Sequence, residues 1–354
     1  MNVVGKSFGV CKLLAFGLDL DFSFPRIDSK VSSGHKGFDV RVSPNIDFKT
    51  AARRRDFTIN AIGYDVFDKR FLDPYHGMGD LKDKILRAVD PSTFGEDPLR
   101  VLRAVQFSAR FDLTLERELF LLCEKMIKNG ALDELPKERI FEEIIKLLLK
   151  SKKISKGISL LRDLGAFEFF AQLKELSSDR LSQVALALDK MSSLKSPNSK
   201  TNVALALSTL CCEFDEKQTA GFLARLTENK KLTNEVLSLV MARDSLDLEN
   251  FNNFDVYLLA TKVKLENFVL FSIAVNSSPW ALKNIDKLES LAKELNVSRE
   301  KAKPILRGKD LLDFGLEPSP EFSIILEKAY FAQMQGEFAM REDALNYLKK
   351  ELLA

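Results

Sequence analysis

The chain has two histidines, His35 and His76, one tryptophan and four cysteines among 354 residues. Two imidazoles cannot furnish a His-rich zinc or iron site, so any metal chemistry must use carboxylates. Cys11, Cys123, Cys211 and Cys212 follow neither a zinc spacing nor the framework of a disulfide-rich secreted domain, and buried free thiols are the expectation. No run reaches the roughly 18–20 apolar residues a membrane span requires, and the start lacks the basic-then-apolar layout of a secretory signal. A cytoplasmic protein without a membrane partner is expected. An excess of one charge is missing too: 53 Lys+Arg against 51 Asp+Glu give +2, so only a local basic stripe could speak for nucleic acid.

What is present is ordinary core-forming composition, 45% hydrophobic at a mean hydropathy of −0.09, enough for roughly two to four domains. The pattern is short and strand-like through about Leu72, at Val10–Leu14, Leu18–Phe24, Phe38–Val42 and Ile59–Val66. The second alternates strictly, leucine and phenylalanine on one face and Asp19, Asp21 and Ser23 on the other, which predicts a half-buried strand. Residues 32–37 read as a polar loop. Beyond about Asp90 the period becomes helical, as in Leu99-Leu102-Val105 and Ile140-Ile144-Leu147-Leu148, and stays so, with breaks at Ser192–Ser199, Asn276–Pro279 and Arg307–Pro320.

Two segments hold the chemistry. In Arg53-Arg54-Arg55-Asp56-Phe57-Thr58-Ile59-Asn60, guanidinium forks suit phosphates, while Asp56 and Asn60 can bind ribose hydroxyls or position the arginines; a basic surface turn with a capping Asp is the plain alternative. In Glu96-Asp97-Pro98-Leu99-Arg100-Val101-Leu102-Arg103, Asp97 is placed to cap a helix that Pro98 begins, and Arg100, Arg103 and Arg110 fall near one face of it. Asp97 as acceptor and Arg100 as donor can present a hydrogen-bonding edge to a base, with Arg103 nearer the phosphates; a capped helix with solvated arginines is the alternative.

Together with Gly5–Val10, Pro25-Arg26, Gly34–Phe38, Leu72–Gly77 and Gly79–Leu81, these blocks resemble the bacterial class II tRNA nucleotidyltransferases, the family that also contains the bacterial poly(A) polymerases. The resemblance implies an α+β fold: a small mixed, polymerase-β-like head, then an all-α neck, body and tail. It implies domains at 1–90, 91–150, 151–250 and 251–354. The activity implied is template-independent transfer of CMP and AMP from CTP and ATP to the 3′ end of tRNA, with Mg²⁺ as cofactor of the complete enzyme. Arg55, Asp56 and Asn60 fall where the family contacts nucleotide phosphates and ribose; Asp97 and Arg100, with Arg103, where it reads the base edge. Gln106 stands where some members have another arginine. Gly77–Leu81 resembles the hinge that re-aims this template, and Arg139 and Glu143 a neck motif that buttresses it, although an i,i+4 ion pair worth only about 0.3–0.5 kcal/mol would explain that pair equally.

The family's Gly-Gly-x-x-Arg-Asp phosphate loop and Asp-x-Asp metal pair do not lie upstream of Gly5, and an N-terminally short, weak or inactive chain is the expectation. By order along the chain, Asp21 matches the family's third carboxylate, a catalytic and metal-binding candidate; Asp19-x-Asp21 as a substitute metal pair, or as solvent-facing aspartates, are the alternatives. Where relatives carry a His-Asp phosphohydrolase site this chain has Asn202–Cys212 and no histidine beyond His76, which excludes a hydrolase of that type. Residues 308–321 resemble a C-terminal family block, ahead of expected helices at Phe322–Met334 and Arg341–Leu352. Two rivals remain: a poly(A) or A-adding polymerase, and a non-catalytic RNA-binding remnant.

Overall fold

The computed structural model describes residues 2–3, 10–15, 17–24, 26–30, 38–42, 45–194 and 202–352. It divides into two units, 1–175 with 225–227, and 176–224 with 228–354. Among the described residues, no helix is long and apolar enough to cross a membrane.

The first unit holds all the strands. Strands β1 (Asn2–Val3), β2 (Val10–Ala15) and β3 (Leu18–Ser23) form an antiparallel sheet in which Lys12 faces Asp21. β4 (Arg26–Lys30) pairs antiparallel with β5 (Phe38–Val42), and β6 (Gly63–Asp65) with β7 (Arg70–Leu72). β8 (Ile85–Leu86) runs parallel to β9 (Thr114–Leu115). Helices α1 (Phe48–Ala52), α2 (Gly77–Asp83), α3 (Pro91–Phe94), α4 (Leu99–Phe111), α5 (Arg117–Lys128), α6 (Lys137–Lys150), α7 (Ile154–Asp163) and α8 (Ala171–Lys174) complete it.

Two expectations are corrected here. β3 forms where alternation predicts it, but Leu18, Phe22 and Phe24 are 60%, 55% and 64% exposed, so among the described residues its apolar face is uncovered. Ile59–Val66 is not one strand: Thr58–Asn60 is a single 3₁₀ turn and only Gly63–Asp65 is extended. The reason is local, because Asp56 Oδ1 accepts from the Phe57 amide and from Asn60 Nδ2, each at 2.9 Å, and this closes a turn that competes with the sheet. Gly77–Leu81 is helical, the first turns of α2. Asp73 Oδ1 and Oδ2 accept from the Gly77 and Met78 amides at 2.7 and 2.9 Å, satisfying the orphan donors of a helix start. A Cβ at Gly77 would lie 2.2 Å from the Thr58 carbonyl oxygen, so only glycine lets α2 approach the 3₁₀ turn.

Helices α4, α6 and α7 pack by period. Ile140, Ile144, Leu147 and Leu148 of α6 are all buried and meet the buried Leu102, Val105 and Ala109 stripe of α4, against which α7 also packs.

In the second unit follow α9 (Ser178–Ser193), α10 (Asn202–Leu210), α11 (Glu216–Leu226), α12 (Lys230–Ala242), α13 (Asn253–Lys262), α14 (Leu265–Val275), α15 (Pro279–Glu294), α16 (Gly308–Asp313), α17 (Glu321–Gln335) and α18 (Arg341–Tyr347), the last continued by a π turn at Leu348–Leu352. One core gathers Val256, Leu265, Phe268, Ile285 and Leu288. A second gathers Leu306, Leu311, Ala332, Phe338 and Leu348. The Asn202–Cys212 stretch is α10 with a buried end, Cys211 and Cys212 being 0% and 3% exposed.

Candidate nucleotide site at the head and neck junction

The arginine block leaves α1 at Arg53 and crosses to the residues before α3. Phe57 pairs with Ala88 as an antiparallel bridge, Thr58 N donates to Arg87 O at 3.0 Å, and Val89 N donates to Asp56 O at 3.2 Å. The fully buried Phe57 ring sits against Phe94 and Phe107, with centroids 5.9 and 5.5 Å apart. One apolar ring thus fixes the block to α3 and α4, and the neighbouring Asp56 is carried to the side of α4 that bears Arg103.

There Asp56 Oδ2 receives Arg103 Nε and Nη2, each at 2.6 Å. Asp56 is only 7% exposed, and a buried carboxylate is tolerated only where such partners satisfy it. Arg103 Nη1 lies 3.8 Å from Glu143 Oε1, which also receives Lys146 Nζ at 2.8 Å. The Arg103 guanidinium lies 5.3 Å from the Phe107 ring centroid, a cation–π position.

The second segment is anchored from both sides. Asp97 Oδ1 accepts from Leu99 N at 3.2 Å, and Asp97 Oδ2 pairs with Arg139 Nη2 at 3.2 Å. Asp97 caps α4 from one residue further out than the sequence suggests, because Pro98 occupies the cap position and has no amide hydrogen to bond. Arg100 donates from Nη1 to Thr93 O at 3.0 Å and from Nη2 to Arg54 O at 2.9 Å. Two of the five guanidinium N–H donors are used in this way, so the rest can serve a ligand.

The junction therefore brings together Asp56, Asn60, Arg103 and Glu143, and separately Asp97, Arg100 and Arg139. Arg139 and Glu143 do not form the local pair that their spacing permits; Arg139 reaches Asp97 and Glu143 reaches Lys146. Arg55 is exposed. Asp21 is exposed on β3, and no hydrogen bond or ion pair among the described residues links it to this cluster. The side chain of Asp19 lies outside the described residues. Among those described, no group of three His, Cys, Asp or Glu could hold a metal ion.

Sequence reasoning missed several supporting residues. Asp90 receives Arg53 Nε at 2.8 Å and the Ser92 amide at 3.0 Å; the Ser92 hydroxyl and Arg53 hold its carboxyl below the usual range, against desolvation. Asp80 accepts from Thr58 Oγ1 at 2.7 Å and pairs with Arg87 at 3.3 Å. Phe94 and Phe107 were readable only as apolar positions, since their partner is distant in sequence.

The arginine block locks onto α4. By family comparison, residues 1–87 match the poly A polymerase head domain, and residues 112–180 match the probable RNA and SrmB-binding site of polymerase A. Over these segments the chain is similar to the family that joins CCA-adding enzymes and poly(A) polymerases. Among relatives, the multifunctional CCA protein of Nitrosospira multiformis is 39% identical over 163 residues, 46% of this chain and 38% of that protein. That of Methylobacillus flagellatus is 38% identical over 47% of this chain and 39% of its own length. The match thus spans about two fifths of these curated relatives. The Bacillus stearothermophilus CCA-adding enzyme, solved in complex with CTP, superposes with a TM-score of 0.75 at 21% identity, covering 98% of this chain and 82% of that one. That likeness establishes a shared fold.

Proposed function

We propose that this chain works as a CCA-adding tRNA nucleotidyltransferase, transferring CMP and AMP from CTP and ATP to the 3′ end of tRNA. The observation that carries the reading is the double anchoring of Asp97 and Arg100. Asp97 is held by Arg139 and the α4 amide, and Arg100 by two backbone carbonyls. An acceptor and a donor are thereby pre-oriented on one helix turn, the arrangement that suits the amino group and adjacent ring nitrogen of cytosine or adenine. Asp56 and Asn60 would meet the ribose, while Arg55 and Arg103 would meet phosphates. In this reading 1–90 is the head, 91–150 the neck, 151–250 the body and 251–354 the tRNA-binding tail, in the cytoplasm.

The family implies Mg²⁺, which when bound would supply charge neutralisation at the α-phosphate. This chain's own residues bind and orient the nucleotide. In-line attack of the tRNA 3′-hydroxyl on that phosphate would release pyrophosphate. Asp21 would assist as the third carboxylate of the head.

The test is incorporation of labelled CTP and ATP, with Mg²⁺, into tRNA lacking its CCA end. Incorporation of both that falls roughly 10- to 100-fold in Asp97→Ala, the worth of one good base-edge pair, is expected. AMP alone would select the second reading, an A-adding or poly(A) polymerase, which the name of the matching head family favours. No incorporation by folded, tRNA-binding protein would overturn the enzymatic reading and leave an RNA-binding remnant.

A further inference from the structure

In the second unit, the N-terminal end of α13, the segment 302–305 and the C-terminal end of α17 line an open hollow of about 810 Å³. It lies between the two apolar cores, since α13 belongs to one and α17 to the other. Its aromatic lining is Phe254, Tyr257 and Phe338; its polar lining is amide, with Asn253 and Gln335 at the rim, and no carboxylate or cation lines it. Among the described residues, Asn253, Gln335 and the Tyr257 hydroxyl make no side-chain hydrogen bond, so their donors and acceptors are open.

The walls are preformed. Tyr330 Oη donates to Ala302 O at 2.7 Å and Gln333 Nε2 to Lys303 O at 3.0 Å, while Ile305 N donates to Gln333 Oε1 at 2.9 Å. The Phe254 and Phe331 rings, 6.2 Å apart, tie α13 to α17. A cavity of this size with rigid walls, aromatic faces and a few convergent polar groups is what a small planar ligand requires.

The lining chooses the ligand. An aliphatic guest would leave the half-buried Tyr257 hydroxyl and the rim amides of Asn253 and Gln335 without a ligand partner, and a charged one would find no counter-ion inside. A neutral heteroaromatic ring satisfies both the aromatic faces and the amides, because Asn and Gln side chains match the paired donor and acceptor edges of bases. Outside the cavity the same segment carries the exposed Lys301, Lys303 and Arg307, which together with Glu327 line a second hollow of about 500 Å³ with a net positive lining for a phosphate. We propose that this cavity binds a nucleobase, supplied either by a free nucleoside or nucleotide or by an unstacked base of an RNA. The site is independent of the head and neck junction.

Equilibrium dialysis of the full chain against labelled cytidine and adenosine tests it, in parallel with tRNA carrying 4-thiouridine, irradiated and mapped by peptide. Nucleoside binding should persist in the Asp97→Ala/Arg100→Ala variant, which separates it from the head. It should weaken at least about tenfold in Ala339→Trp, which fills the cavity from an exposed position. Gln335→Glu, also at an exposed position, serves if Ala339→Trp does not fold. Nucleoside binding without crosslinks to 252–257 or 335–339 identifies a small-molecule ligand; crosslinks there without nucleoside binding identify an RNA base. Absence of both, or binding indifferent to the cavity variants, overturns the proposal.

Discussion

The two units weight charge and packing differently, although the second too pairs a buried carboxylate, Asp310, with Arg341. Around the junction of the first, charge pairs join residues far apart in sequence: the buried Asp56 with Arg103, and the partly exposed pairs Asp97 with Arg139 and Asp90 with Arg53. The second unit fills its cores with aliphatic and aromatic side chains, and its α10 end adds two thiols that burial neutralises. Charged pairs hold a geometry at the expense of desolvation, whereas apolar packing gives stability without direction. A unit that must present fixed donors and acceptors to a ligand benefits from the first; a helical scaffold needs only the second.

The sharpest way to break this contrast is through the ring that holds the charged set together. Phe57→Ala should cost about 3–5 kcal/mol and, in urea unfolding, lower the midpoint of the first unit while the second unit's transition stays put. A single shifted transition for both would show that the units are not independent. Next comes Arg103→Ala, which strands the buried Asp56. Loss of one partner of a fully buried pair costs about 3–5 kcal/mol, reduced here toward about 2 because the Arg103 side chain is 29% exposed. Asp56→Asn combined with Arg103→Met should recover part of that loss, and no recovery would mean that packing rather than charge dominates the junction.

Asp90→Asn keeps an oxygen to cap α3 and should cost only about 0.5 kcal/mol, through loss of the charge pair with the exposed Arg53. The lowered Asp90 carboxyl sets the sign of its pH dependence. Its contribution is complete above the ordinary carboxylate range and is lost as pH falls through its folded value. Stability profiles of wild type and Asp90→Asn should therefore converge on acidification, and parallel profiles would contradict this. The smallest losses belong to the second unit. The buried Ser208 hydroxyl and Thr219 hydroxyl have no hydrogen-bond partner among the described residues, so Ser208→Ala and Thr219→Val should be neutral or stabilising by up to about 1 kcal/mol. Cys212, like Cys123 in the first unit, is pushed up to about 12 by burial, and Cys211 well above its ordinary value. None of the three should react with Ellman's reagent at pH 8 before unfolding, as mass-mapped labelling would show.

Much of the architecture was legible without coordinates. Alternation located β3, the Asp-Pro pair the start of α4, and the spacing of Ile140, Ile144 and Leu147 the buried face of α6. All three are local: a strand or helix face is determined by side chains a few residues apart. Gly77 as the close approach between α2 and the 3₁₀ turn could not be read, since its neighbour Thr58 is distant in sequence. The turn that replaced the expected strand at Ile59 depends on which groups Asp56 accepts from.

The sequence by itself determined the order of elements and the blocks that resemble the family, because period, capping and motif spacing are properties of short stretches. Only the tertiary structure decided partners. Arg139 could have paired with Glu143 on its own helix, yet it meets Asp97 across 42 positions, and Glu143 turns instead to Lys146 and Arg103. A charged side chain surrenders hydration only where chain packing delivers an opposite charge at hydrogen-bond distance, and that delivery is the work of Phe57, Phe94 and Phe107, the apolar contacts that bring the head block onto the neck.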